Sequence, residues 1–172
     1  MVWLALLRAV NVGGRNVIRM ADLRADLAAL GLDRVETYLQ SGNAVFESDL
    51  GKEPLREAID DVLLQRGLTG SGVVLRSLPQ LRKAVVSSPL PSHPAPDKHK
   101  FVSFFDRHLE PIEFKGASML GWSGMEAYWT PAELGPPPAL TALEKKHGFR
   151  TTTRNWAVTQ ALLELLERLG GS

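Results

Sequence analysis

The 172-residue sequence predicts an α+β protein, and three observations carry that reading. The run Val2-Trp3-Leu4-Ala5-Leu6-Leu7 is apolar at every position, as a strand buried on both faces must be. Helical and strand periodicities then follow it in the order β-α-β-β-α-β up to Arg76. A long amphipathic stripe, running from Trp156 to Leu169, closes the chain.

Each element has its own warrant. After the glycine pair Gly13-Gly14, Met20, Leu23, Leu27 and Leu30 recur at helical spacing and Gly31 supplies a C-terminal stop. Val35 to Gln40 alternates, and Ser41-Gly42-Asn43 reads as the turn of a hairpin that continues through Glu47. Pro54 suits the first turn of a second helix with Leu55, Ile59, Val62 and Leu63 as its buried stripe, before the strand Val73-Val74-Leu75-Arg76. This order is the ferredoxin-like split pattern, in which the first and third strands are central. Ser77 is the expected cap of a short helix carrying Leu81 and Val85, which ends at Ser87-Ser88-Pro89. Lys100 to Phe105 and Met125 to Thr130 read as strands, and the four prolines within 131–138 as irregular chain. The last helix is expected to open at the threonines Thr151–Thr153 and to stop at Gly170-Gly171.

The resulting organisation is a ferredoxin-like half with an added short helix over 1–88, a proline-rich connection over 89–99, and a smaller α+β half over 100–172, together one compact unit. The bulk composition excludes several classes. A formal net charge of +1 with interspersed signs gives no broad field for nucleic acid or membrane, and the absence of cysteine removes disulfides, thiolate metal sites and a cysteine nucleophile. Arg8 interrupts the N-terminal apolar run and no basic segment precedes it, so it is read as a strand rather than a secretory segment. We expect a soluble, cytoplasmic protein with no membrane partner.

Three polar motifs stand at element ends. In Arg8-Ala9-Val10-Asn11-Val12-Gly13-Gly14-Arg15-Asn16, glycines expected just ahead of a helix would present backbone N–H groups and the positive end of the helix dipole to an anion. The spacing is neither that of a P-loop nor that of a dinucleotide fingerprint. The same glycines equally suit a tight strand-to-helix turn. Ser41-Gly42-Asn43 adds a hydroxyl and an amide at a hairpin tip, although these are ordinary turn residues. In Thr153-Arg154-Asn155-Trp156, a cation in a first helical turn opposes the dipole and calls for an anionic partner, either a ligand or an internal carboxylate such as Glu36 or Asp22. His93, Asp97 and His99 lie among prolines, where a solvated segment outweighs a metal site. No nucleophile or general base is singled out by spacing, no metal site is expected, and no cofactor is implied. The first strand offers only Trp3 among Ala5 and Leu7 on its face, which argues against an open RNA-binding sheet.

These motifs, with Leu6-Leu7, Met20, Thr37-Tyr38 and Gln40, resemble the DUF1697 family, and the resemblance runs in order along the whole chain. The resemblance implies an α+β fold with ferredoxin-like elements and no established activity. It marks Arg8, Asn11, Gly13, Gly14, Ser41, Gly42, Asn43, Arg154 and Asn155 as signature positions, while Ala9, Ala157, Val158 and Ala161 depart from the family pattern. The leading expectation is therefore one pocket for a small anionic ligand, a phosphorylated metabolite or nucleotide, lined by Arg8, Asn11, Gly13, Gly14, Asn16, Ser41, Asn43, Arg154 and Asn155. The alternative is a non-catalytic interaction module whose polar motifs form a structural network; nucleic-acid binding ranks third. The sequence does not define an oligomeric state.

Overall fold

The structure is a computed structural model and describes residues 1–133 and 140–171. It divides into two compact units, Met1–Leu81 with Leu162–Ser172, and Arg82–Ala161.

The first unit contains β1 (Val2–Arg8), α1 (Met20–Ala29), β2 (Asp33–Tyr38), β3 (Asn43–Glu47), α2 (Lys52–Gln65) and β4 (Gly72–Ser77). Its strands form an antiparallel sheet in the order β2-β3-β1-β4, which puts β1 and β3 at the centre as the split pattern requires. Alternation then sorts the β1 side chains. Trp3, Ala5 and Leu7 join Leu23 and Leu27 of α1 and Leu55 and Ile59 of α2 in one core. Leu4 and Leu6 point to the opposite face and are fully buried as well. Each such leucine contributes about 1.5–3 kcal/mol by leaving water, so a polar residue at any of these positions would be costly.

Local chemistry sets the ends of these elements. Gly31 follows α1 at φ +80° and donates its N–H to the Ala28 carbonyl at 2.9 Å, the left-handed stop expected of glycine. Pro54 sits in the first turn of α2, while Val62, expected in the buried stripe, is only half-buried. Between β2 and β3 the turn differs from expectation. Asn43 is not at the tip but is the first residue of β3, opposite Tyr38, and is fully buried. Gly42 remains in the turn at φ +81°, and its carbonyl accepts a hydrogen bond from the Leu7 N–H at 2.8 Å.

The helix α3 (Leu78–Val86) carries the chain into the second unit, where two short 3-10 turns, Leu90–Ser92 and Asp97–His99, occupy the proline-rich segment. There follow β5 (Phe101–Phe105), β6 (Ala117–Trp122), β7 (Glu126–Pro131), α4 (Thr141–His147), β8 (Thr151–Asn155) and α5 (Trp156–Gly170). The four strands make a second antiparallel sheet, β6-β7-β5-β8. One face is aromatic: Phe105 meets Phe149 edge-on at 5.6 Å, and Phe114 meets Trp129 at 6.2 Å. The opposite face buries Val102, Phe104 and Tyr128, with the Tyr128 hydroxyl donating to the Ala84 carbonyl at 2.7 Å.

Two expectations are corrected by the observed elements. The last helix begins at Trp156, because the β-branched Thr151-Thr152-Thr153 run pairs with β5 as a strand instead of opening the helix. Pro131 ends β7 rather than opening irregular chain, and the rest of the proline stretch, 134–138, lies outside the described residues. The chain passes from one unit to the other within α3 and again within α5. The last part of α5 is held in the first unit: Leu162, Leu166 and Leu169 are buried, the Leu169 carbonyl accepts from Arg34 at 3.0 Å, and Arg168 pairs with Glu36 at 2.7 Å.

A Cβ on Gly42 would lie 2.6 Å from Val10 Cγ2 and 2.8 Å from Leu7 Cβ, in addition to its unfavourable φ. Gly13 has positive φ but open space around it. Gly42→Ala is therefore expected to lower unfolding stability by about 2–4 kcal/mol and Gly13→Ala by about 1 kcal/mol, as read from urea titrations.

Candidate functional site

The first motif folds into a small hairpin of its own. Val12 and Arg15 form an isolated bridge, with the Arg15 N–H donating to the Val12 carbonyl at 3.0 Å, and Gly13 and Gly14 are its two central residues. Both have positive φ, +57° and +74°, the combination a two-residue turn of this hand demands. The glycines are therefore exposed at a turn and do not form the first turn of α1, which begins at Met20. That helix start already holds an anion of its own. Asp22 receives two bonds from Arg19, at 2.8 and 3.2 Å, and this hydrogen bonding holds its carboxyl below the usual carboxylate range.

The asparagines of the motif work on the backbone. Asn11, at φ +53°, donates from Nδ2 to the carbonyls of Ile18 at 3.0 Å and Gln40 at 2.6 Å, and its Oδ1 accepts from the Ile18 N–H at 2.9 Å. It thereby ties the loop to the hairpin that follows. Asn16, at φ +50°, donates to the carbonyls of Ala9 at 2.7 Å and Thr69 at 2.9 Å. Left-handed backbone suits asparagine better than other side chains, so both positions combine a conformational and a bonding reason for the residue. In the hairpin, the buried Asn43 donates to the Tyr38 carbonyl at 2.8 Å and to Ser41 Oγ at 3.0 Å. Arg8 ends β1 half-buried opposite Gly72, and Ser41 is exposed.

In the second unit, Arg154 is in a strand and not in a helical turn, so the argument from dipole opposition does not apply to it. It lies on the same face of β8 as Thr152, opposite Val102, and is only 9% exposed. Its Nη1 donates to Thr152 Oγ1 at 2.7 Å and to the Thr153 carbonyl at 2.9 Å. Burial pushes the guanidinium down to about 10, because removing the charged form from water disfavours it. Glu36 and Asp22, the carboxylates considered as its partners, take Arg168 and Arg19. Asn155 has a different role: its Oδ1 accepts from the Val158 N–H at 2.8 Å, which makes it the N-cap expected of a preceding threonine. Trp156 is buried, as its place in the apolar stripe requires.

The structure thus brings Asn11, Asn16 and the Ser41–Asn43 hairpin into contacting segments of the first unit, and gives Asn155 a capping position in the second. Sequence reasoning missed Thr152 as the neighbour that orients Arg154, and it missed Arg76, which is 1% exposed in β4 and donates to the Leu75 carbonyl at 2.9 Å. An arginine that ends an apolar run reads as a strand terminus, and only the sheet register shows it to be interior. Among the described residues no group of three or more His, Asp or Glu side chains could hold a metal. His93 accepts from the Ala95 N–H at 3.2 Å, and Asp97 accepts from Lys100 at the same distance. Among the described residues no helix is long and apolar enough to cross a membrane.

The two four-stranded antiparallel sheets and their helices define a mixed α+β protein. Its fold is shared with a conserved bacterial protein, SP0830 from Streptococcus pneumoniae, at a TM-score of 0.70 and 22% identity, over 96% of this chain and 98% of that one. Residues 1–128 match DUF1697, a protein family of unknown function, and the chain belongs to that family. No curated protein matches it.

Two measurements test these assignments. Asn155→Ala should cost about 1 kcal/mol in chemical unfolding, with Asn155→Asp retaining most of the cap. For Arg154, the folded value of about 10 lies below the ordinary guanidinium range, so the unfolded chain binds more protons only between the two. Its contribution to stability is thus constant below about pH 9 and rises above it. The stability difference between parent and Arg154→Met should be flat from about pH 6 to about pH 9 and then shift in favour of the parent.

Proposed function

We propose that this protein binds a small anionic ligand, a phosphorylated metabolite or nucleotide, with Arg154 as the principal cation. The observation that carries the proposal is a guanidinium held at 9% exposure beside Thr152, on a sheet face that also buries Thr130 and Tyr128. A charge in so little water interacts more strongly with an anion than a surface charge does, and a planar guanidinium matches phosphate oxygens two at a time. Thr152 fixes one edge of the group. In the first unit, Arg8 with Ser41 and the exposed amides of Gly13 and Gly14 is a separate candidate for the same class of ligand.

A second reading is favoured by a separate observation: the side chains of Asn11, Asn16, Asn43 and Asn155 all bond the backbone of their own unit. On that reading the motifs are a structural network of a non-catalytic interaction module. A thermal-shift series with phosphorylated metabolites and nucleotides separates the two. Ligand binding raises the Tm of the parent, and the shift is lost in Arg154→Ala. Loss in Arg154→Ala assigns the ligand to the second unit, whereas loss in Arg8→Ala alone assigns it to the first. No shift with any of these anions, together with a sharply lowered Tm for Arg154→Ala itself, favours the network.

A further inference from the structure

The second unit contains a concavity of about 630 Å³ that involves none of the residues discussed above. Its walls are α4 and the segment 111–115 that precedes β6. The floor is apolar. Leu140 is buried in the aromatic core with Phe105 and Trp129, and Ile112 and Leu143 are half-buried against that core, so their outer surfaces line the hollow. Lys146 and His147 follow Leu143 at i+3 and i+4, which places them on its side of α4, and Lys115 joins them from the other wall. Glu113 is the one acid among the lining residues.

A cation in the last turn of a helix offsets the dipole, and that alone accounts for a lysine at the end of α4. It does not account for Lys115, which comes from a separate segment and lines the same apolar hollow. The volume falls within the range of about 300–1,000 Å³ typical of small-molecule sites, and an apolar lining with a few polar groups at one side is their usual composition. We propose that this concavity binds a small amphipathic carboxylate, with its chain on Ile112, Leu140 and Leu143 and its head group at Lys115 and Lys146. The net positive rim supplies the charge complementarity, and Glu113 keeps its excess small, which favours a monoanion over a multiply charged phosphate. This site is distinct from the one assigned to Arg154.

The test is a calorimetric titration of the whole protein with acetate, butyrate, hexanoate and octanoate, each below its micelle-forming concentration, with octanol as the uncharged control. Affinity should tighten about fourfold per added methylene, the factor that corresponds to burying one such group. Octanoate should bind at least about tenfold more tightly than octanol, and the doubly substituted Lys115→Gln, Lys146→Gln protein should lose that advantage while binding octanol as before. Both lysines are exposed, so the variant keeps its fold, which circular dichroism checks. Amide signals of residues 112–115 and 141–147 should shift on adding octanoate, and Arg154→Ala should leave the titration unchanged. The proposal is overturned if octanoate does not saturate, if affinity is independent of chain length, or if shifts spread over the surface. Loss of octanoate binding in an Arg154→Ala protein that circular dichroism shows to be folded would overturn it too, whereas loss of phosphate-ligand binding there bears only on the other site.

Discussion

The rest of the first unit depends on a strand that has no wet face. Because β1 is apolar from Val2 to Leu7 and sits at the centre of its sheet, both sides must be covered, and α1 and α2 cover only one. The far side is buried too, and it is not wholly apolar: Asn43 and Arg76 lie on neighbouring strands at 0% and 1% exposure. Each finds hydrogen-bond acceptors close by, as a buried polar group must if it is not to cost several kcal/mol, on the order of a whole side chain's hydrophobic gain. The second sheet follows the same rule, with an aromatic face on one side and Arg154, Thr152 and Tyr128 interior on the other.

This division explains why the polar signature of the chain is so hard to read as function. Asparagine at positive φ, glycine in a close approach and asparagine at an N-cap are all demanded by backbone geometry, and a ligand site would use the same residues. Asn11 satisfies three backbone groups at once, and Gly42 leaves room for Val10 and Leu7. Arg76 and Arg154 are different: a guanidinium is not needed to make a strand, and burying one has an electrostatic cost.

Much of the fold was legible because its elements have strong periodicity or clear punctuation. The all-apolar β1, the stripe of α1 ended by Gly31 and the Leu55–Ile59–Leu63 face of α2 were each readable from residue spacing. The errors fell where local preference allowed two answers. Thr151–Thr153 fits a helix cap and a strand equally, and only pairing with β5 decides it. The strand β6 carries Gly121 and a register shift between Met119 and Gly121, which blur its alternation. At the candidate site, residue types were legible and their roles were not: the spacing of Gly13-Gly14 before Met20 does not show that the chain first turns back on itself.

The split of the first unit into Met1–Leu81 and the last part of α5 has a consequence for the order in which the molecule can be made. A growing chain exposes β1–β4, α1 and α2 long before Leu162, Leu166 and Leu169 are synthesised, and the whole of the second unit is translated in between. The contacts that close the first unit, Arg34 to the Leu169 carbonyl and Arg168 to Glu36, span 135 and 132 residues. Such long closures come late and carry the greatest loop entropy. Until they form, the nascent first unit lacks Leu162, Leu166 and Leu169 and leaves bare the apolar surface that those leucines cover, the kind of exposure that makes a partly folded chain prone to aggregate.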